Sequence, residues 1–413
     1  MVLSKVQKNR RDNHTRVIFF CREYNDLDCR VPLINYLHKH ENFTIEVVSI
    51  PTIRSSGLRV KHRFFKESHI DLTNIVHWFF NKNKQKTIRF FSRHFEQSKS
   101  KIIRFRLWPI LWSLLFYKWY QTDQCRRHFK EKIANNIVII DDILLDANRT
   151  FINQWLLSHE DIYLYCLAHG QNTYLNLWHD KTDTVKKPSQ SKLNLAVYSP
   201  SENHSDYLKK NNEGLNLVNI GNTRFDKNWI LFESKNIKDY RYRKNEKHST
   251  KILFVMSKLE YGQNVEEVQN FINEVSSNPK IALCLKPHTR GMDISNLDIK
   301  KSSNLTIEYS VETSDLIDWA DIVVFTGSSI IFEALIKQKK VIFLQCLQKY
   351  QTIFDTFPSN MIITKSDNIL LKINNLIKDN TISNFDEFLN EHVYCDQEDG
   401  LVCKAFVDQH LNV

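Results

Sequence analysis

Two kinds of stretch alternate along the chain. Short runs of β-branched and aromatic residues are each followed by a turn signal and then by an amphipathic segment of helical length. The runs fall at 16–21, 43–50, 136–140, 162–168, 193–198 and 217–220, then at 252–256, 281–286, 322–325 and 341–344. The first helix is expected at 32–40, opened by Pro32. Continuous apolar strands separated by helices predict parallel sheets covered on both faces, hence an α/β fold. The polar, charge-rich stretch 233–249 is followed at once by a fresh apolar run. It divides the chain into two Rossmann-like, doubly wound domains expected to face each other across a cleft. The first is 1–235, the second 245–400, with 401–413 as a C-terminal helix packing back.

The segment 82–120 departs from this rhythm. Residues 82–106 carry nine Lys or Arg and one acid, interleaved with Ile88, Phe90, Phe91, Phe95, Ile102, Ile103 and Phe105. The aromatic run 107–117 follows, about half the roughly twenty residues needed to span a bilayer. A basic amphipathic helical insert of this kind suits an anionic membrane surface. A pair of buried helices with a solvated basic face is the alternative.

Composition narrows the classes. The 413 residues are 42% hydrophobic and 25% charged, which excludes a fibrous or disordered chain. A net charge of +10 favours an anionic partner without naming it. Eight cysteines occur with no C-x-x-C pair, which argues against a structural metal and for reduced thiols in a cytoplasm. The basic N-terminus lacks an apolar stretch of signal-peptide type. G-x-x-x-x-G-K-[ST], G-x-G-x-x-G and G-x-S-x-G are all absent, so kinase, dinucleotide and α/β-hydrolase readings lose their usual support.

Only eight glycines are present, and several mark strand-to-helix junctions, where ligands of doubly wound sheets bind. Thr326-Gly327-Ser328-Ser329 follows the run 322–325 and precedes Phe332-Glu333-Ala334-Leu335. Ser328 or Ser329 is expected at the helix N-cap, with free amides for a phosphate and Glu333 one turn on for ribose hydroxyls. An ordinary capped helix with a solvated Glu333 is the alternative. Lys286, His288 and Arg290 crowd the end of another run around Pro287, three cationic groups suited to a diphosphate. His169-Gly170 ends the run 162–168; His169 is a candidate general base, or a strand-end histidine bonded to backbone. Arg224 and Asp226 form a candidate structural or phosphate-facing pair. Asp26-Leu27-Asp28 and Asp141-Asp142 follow strands. Asp28 is a candidate for an acceptor-side or base-assisting role, with loop solvation as the alternative.

Taken in order, strand-H-G, G-x-x-R-F-D, K-P-H-x-R, strand-x-G-S-S-x-x-F-E-A-L and a late E-D-G-L-V-C-K resemble bacterial GT-B transferases of surface polysaccharide synthesis. The CDP-glycerol glycerophosphotransferases and the capsule Kdo transferases are the groups it is most similar to. F-E-A-L, where the glycerophosphotransferases often carry Asp, is nearer to sugar transferases. The resemblance implies His169 as the base or acceptor-side group; Asp28 and His288 are counted with it as catalytic candidates. It implies Lys286, His288, Arg290 and the Ser328-Ser329 turn on the donor's phosphates and Glu333 on the ribose, and Gly170, Arg224, Thr326 and Gly327 at the neighbouring junctions complete the candidate donor site. No cofactor and no metal are expected; the donor is a CMP-, CDP- or UDP-linked substrate. The expected partner is a glycan or glycolipid acceptor of capsule or lipopolysaccharide, with no nucleic acid. The expected location is the inner face of the bacterial cytoplasmic membrane. Polyol-phosphate transfer, nucleotide-sugar 2-epimerisation and a non-catalytic membrane-surface module are the alternatives.

Overall fold

The computed structural model describes residues 15–21, 24–50, 63–70, 72–75, 78, 86, 123–141, 155–156, 161–168, 170–175, 195–202, 204–206, 217–236, 242, 248–259, 262–288, 294, 297–365, 367–379 and 384–411. The basic insert expected at 82–120 lies outside them apart from Lys86, as do His169 and Arg290.

The first sheet is built from β1 (Thr15–Cys21), β2 (Phe43–Ser49), β3 (Leu72–Asn74), β4 (Ile137–Asp141), β5 (Tyr163–Leu167), β6 (Leu195–Ser199) and β7 (Leu217–Asn219). Its spatial order is β3-β2-β1-β4-β5-β6-β7, and all its pairings are parallel. Val17 through Cys21 are wholly buried, as a strand covered on both faces requires. One face packs Ile18, Phe20, Val138, Ile140 and Leu164 against Phe129 and Trp155, whose rings lie 5.2 Å apart.

The second sheet contains β8 (Thr250–Val255), β9 (Ile281–Lys286), β10 (Leu305–Ile307), β11 (Ile322–Phe325) and β12 (Lys340–Phe343). Its order is β10-β9-β8-β11-β12, again parallel throughout. The helix Val265–Ser277 covers one face with Val268, Phe271, Ile272 and Val275, the i, i+3, i+4, i+7 stripe of an amphipathic helix. In both sheets the strand order reverses beside the first strand, the hallmark of a Rossmann-like, doubly wound unit. The α/β class with two such units is therefore observed.

Residues within Met1–Gly170, Thr184–Asp226 and Tyr394–Val413 form one compact unit, and those within Gln171–Asp183 and Lys227–Val393 the other. The polar stretch 233–249 points to one boundary, yet the chain changes unit several times. The C-terminal segment belongs to the first unit because Phe406 packs edge-on against Tyr165 and Tyr198, at 5.9 and 4.9 Å.

The first helix also differs from expectation. α1 spans Tyr24–His38 and runs straight through Pro32, so Asp26 and Asp28 lie in helix rather than in a loop. Proline inside a helix costs about 3 kcal/mol. Leu27, Val31, Leu33, Ile34 and Leu37 are all wholly buried, and each contributes about 1.5–3 kcal/mol, so burial wins. The three-residue strands β3 and β10 each have a central threonine and do not stand out as apolar runs.

Candidate functional site

A doubly wound sheet binds ligands outside the carboxyl ends of its strands, where the strand order reverses. In the second unit that point lies between β8 and β11. The Ser257 amide, just beyond β8, donates to the Thr326 hydroxyl, just beyond β11, at 3.3 Å. Gln263 Nε2 donates to the same hydroxyl at 2.7 Å, and Gln348 Nε2 donates to the Thr326 carbonyl. The hydroxyl of Thr173 donates to the Gly327 carbonyl at 2.9 Å. Thr326 is thereby wholly buried at the centre of a polar shell. Ser257 Oγ, Gln263 Oε1 and Gln348 Oε1 are buried there without a hydrogen-bond partner. Uncompensated polar atoms of this kind are rare in a folded core and concentrate at functional sites.

Gly327 has φ +147°, and a Cβ there would meet Tyr174 Oη at 2.8 Å and Gln348 Nε2 at 3.2 Å. The position thus requires glycine twice over, for its backbone and for its space. Ser328 and Ser329 follow, half-buried. Neither is the N-cap: the helix Ile331–Ile336 is capped by Ile330, with no side-chain capping bond. The serines instead accept through their carbonyls from Ile331 and Phe332, both at 3.2 Å, in a tight entry turn. The amides of Ser328, Ser329 and Ile330 precede the first helical ring and have no intrahelical acceptor.

Glu333 is buried rather than solvated. Its Oε1 lies 2.6 Å from Lys337 Nζ, which also meets Ser314 Oγ at 2.8 Å and Asp318 Oδ1 at 3.2 Å. Burial works against the Lys337 charge, but Glu333 and Asp318 together hold its pKa above the usual lysine range.

One strand further along, Lys286, Pro287 and His288 end β9. Lys286 is turned to the neighbouring strand end, where its Nζ donates to the carbonyls of Tyr309 and Val311 at 3.1 and 2.6 Å. Burial lowers its pKa, with Cys284, Glu308 and Glu312 opposing. Its ammonium pins the loop beyond β10. His288 stands half-buried beside it.

In the first unit, α1 delivers a wholly buried arginine to the strand ends. Arg30 donates to the carbonyls of Ile140, Leu167 and Ala168 at 3.1, 3.1 and 3.3 Å, fixing the ends of β4 and β5 just before Gly170. Asp28 pairs with Arg224 at 2.6 Å. Asp226 accepts from the Cys403 amide at 2.9 Å, so Arg224 braces α1 while Asp226 anchors the C-terminal segment. Gly170 lies in the same unit.

The structure therefore gathers Thr326, Gly327, Ser328, Ser329 and Glu333 in one stretch, with Lys286 and His288 at a strand end of the same sheet. Arg224, Asp28 and Gly170 belong to the other unit. Ser257, Gln263, Gln348, Thr173 and Tyr174 complete the shell without having been expected. Ser257 directly follows an apolar run, which is a usable signal; the others come from loops that only the fold brings together. Among the described residues no three His, Cys, Asp or Glu side chains gather as metal ligands, and no helix is long and apolar enough to cross a membrane.

The chain thus contains two Rossmann-like, doubly wound units, the second with a polar turn at its switch point. No known sequence family matches the chain, and no curated protein matches it. Solved structures do. A Listeria monocytogenes protein assigned as a UDP-N-acetylglucosamine 2-epimerase is 13% identical, with a TM-score of 0.56 over 97% of each chain. The UDP-GlcNAc 2-epimerase of Methanocaldococcus jannaschii is 15% identical, TM-score 0.54, over 97% of this chain and 100% of that one. The S. aureus MnaA–UDP co-structure is 13% identical, TM-score 0.54, over 96% and 97%. At such identities the likeness is one of fold.

Proposed function

We propose that this chain is a nucleotide-donor-dependent transferase that moves a sugar from a nucleotide-activated donor to a growing bacterial capsule or lipopolysaccharide glycan. The observation that carries the reading is the Ser257–Thr326–Gly327 shell at the switch point of the second sheet. It presents the Ser328-Ser329 turn at the end of β11, in the sheet whose β9 leads to His288, and in the order of motifs that resembles the surface-polysaccharide transferases. In this reading the donor's phosphates lie on the amides of the turn, with Arg290 as a further ligand. Glu333, oriented by Lys337, faces the ribose. Lys286 acts by holding the 309–311 loop. The acceptor hydroxyl oxygen attacks the anomeric carbon as the bond from that carbon to the phosphate oxygen breaks. His169 takes the hydroxyl proton, and the nucleotide leaves with the bonding pair, stabilised by preorganised donors. Asp28, paired with Arg224, keeps α1 in place in the unit that takes the acceptor. Attachment to the membrane surface through 82–120 belongs to the same proposal.

A second reading is favoured by the solved structures named for UDP-GlcNAc 2-epimerases, beside which stands the MnaA–UDP co-structure. An epimerase acts on the nucleotide sugar alone. Nucleotide release from CDP-, CMP- and UDP-linked donors, measured with and without a glycan acceptor, separates the two. Acceptor-dependent release, abolished in a folded His288→Ala variant, is the expected result. Epimerised donor without any acceptor, or full activity in His288→Ala, would contradict the transferase assignment.

A further inference from the structure

We infer that Thr173 is a positioning residue for the Thr326–Ser329 turn, with Tyr174 as its steric backstop. The inference rests on the reading that this turn takes the donor's phosphates, and it identifies what presets the turn for them.

The segment 171–175 belongs to the second unit and lies along residues 351–353. The Leu175 amide donates to the Gln351 carbonyl at 2.9 Å, the Ile353 amide donates to the Thr173 carbonyl at 3.0 Å, and Tyr174 bridges Thr352 antiparallel. The far side of this strap is itself rigid. Thr352 is wholly buried, and its hydroxyl accepts from the Phe354 amide at 3.2 Å. Asp355 completes a capping box by accepting from the Thr352 amide at 2.7 Å, and it also accepts from Gln345 at 2.6 Å. Thr173 and Tyr174 are 2% and 7% exposed, so neither side chain is free to swing away.

From that anchored strap the Thr173 hydroxyl reaches the Gly327 carbonyl, while Tyr174 Oη occupies the space where a Gly327 side chain would begin. In a planar trans peptide the C=O and the following N–H point in opposite directions. Holding the Gly327 carbonyl on the Thr173 side therefore directs the Ser328 N–H away from the strap. Gln348 does the same one peptide earlier: its bond to the Thr326 carbonyl directs the Gly327 N–H away from Gln348. Two successive amide hydrogens at the switch point are thus fixed in advance, so neither has to reorganise to meet an anion. Removing the Thr173 hydroxyl frees one of these peptide planes and leaves the strap's own backbone pairing in place.

The test uses the full chain with Thr173→Val and Thr173→Ser. Binding of UDP and CDP is measured by calorimetry, and binding of uridine and cytidine by ligand-observed NMR, alongside the melting temperature. The expected result is a loss of about tenfold in diphosphate affinity for Thr173→Val, or about 1.4 kcal/mol. Nucleoside binding should match the wild type and the melting temperature should fall by only about 2–4 °C per kcal/mol of lost hydrogen bonding, while Thr173→Ser should restore the diphosphate affinity. Wild-type diphosphate affinity in Thr173→Val would overturn the inference. So would an equal loss for nucleoside and diphosphate, which marks a merely structural role. A wild-type protein that binds neither diphosphate more tightly than its nucleoside would overturn the phosphate reading itself, and the inference with it.

Discussion

Lys337 keeps its charge in a nearly closed site because three side-chain oxygens meet it there, from Glu333, Asp318 and Ser314. Its side chain is 5% exposed and that of Glu333 6%. Removing one partner of such a pair leaves an uncompensated buried charge, which costs about 3–5 kcal/mol. Lys337→Met should therefore lower stability by that amount in urea unfolding. The double variant Lys337→Met/Glu333→Gln should be less destabilised than the sum of the single changes, because the second substitution removes the orphaned charge. Additive losses would show that the two side chains are not coupled. Gly327 presents the opposite situation, a site that excludes any addition. Alanine there meets both a strained φ and the Tyr174 hydroxyl, for a strain of about 1–3 kcal/mol. Gly327→Ala should cut nucleotide affinity at least tenfold. Wild-type affinity would show that the turn tolerates reshaping. At this scale the turn itself was legible, since a rare glycine between an apolar run and Ser-Ser marks a junction. The burial of Glu333 was not: its Lys337 partner sits at an ordinary helical spacing, while Asp318 and Ser314 reach it only through the fold.

Elements rather than single residues explain the C-terminal segment. His410 lies against Tyr198 and Phe406, with ring centroids at 4.8 and 5.8 Å, and its carbonyl accepts from Tyr165 Oη at 3.2 Å. Burial lowers its pKa below the usual histidine value. In the unfolded chain it takes up a proton near pH 6.5, whereas the folded state resists. The unfolded state therefore binds more protons as the pH falls below about 6.5, and stability drops with it. Between about pH 7.5 and 5.5 the wild type should lose more stability than His410→Leu, read from urea midpoints. Equal losses would show that His410 does not couple the segment to pH. Most strands were legible because parallel strands buried on both faces read as continuous apolar runs; Ile281–Lys286 and Ile322–Phe325 match residue for residue. The edge strands Leu72–Asn74 and Leu305–Ile307 were not, because each has a threonine at its centre, whereas the equally short β7 reads on through Val218 to Ile220. Pro32 misled about α1, since local propensity marks a helix start that burial of five aliphatic side chains overrides.

For the molecule as a whole, the sequence carried the class and the order of motifs, and the strand order of both sheets confirms the doubly wound class. What the linear chain could not convey is its repeated passage between units. The placement of 171–175 in the second unit depends on contacts with residues about 150 to 180 positions away. Everything proposed for the second unit requires that its switch point bind the phosphates of a nucleotide. A thermal-shift panel of CMP, CDP, UDP, GDP and ADP tests it most directly, because a ligand that binds only the folded state raises the melting temperature by mass action. A shift with a cytidine or uridine nucleotide, lost in Gly327→Ala and in His288→Ala, is the expected result. No shift with any of the five, or a shift unchanged in both variants, would contradict it.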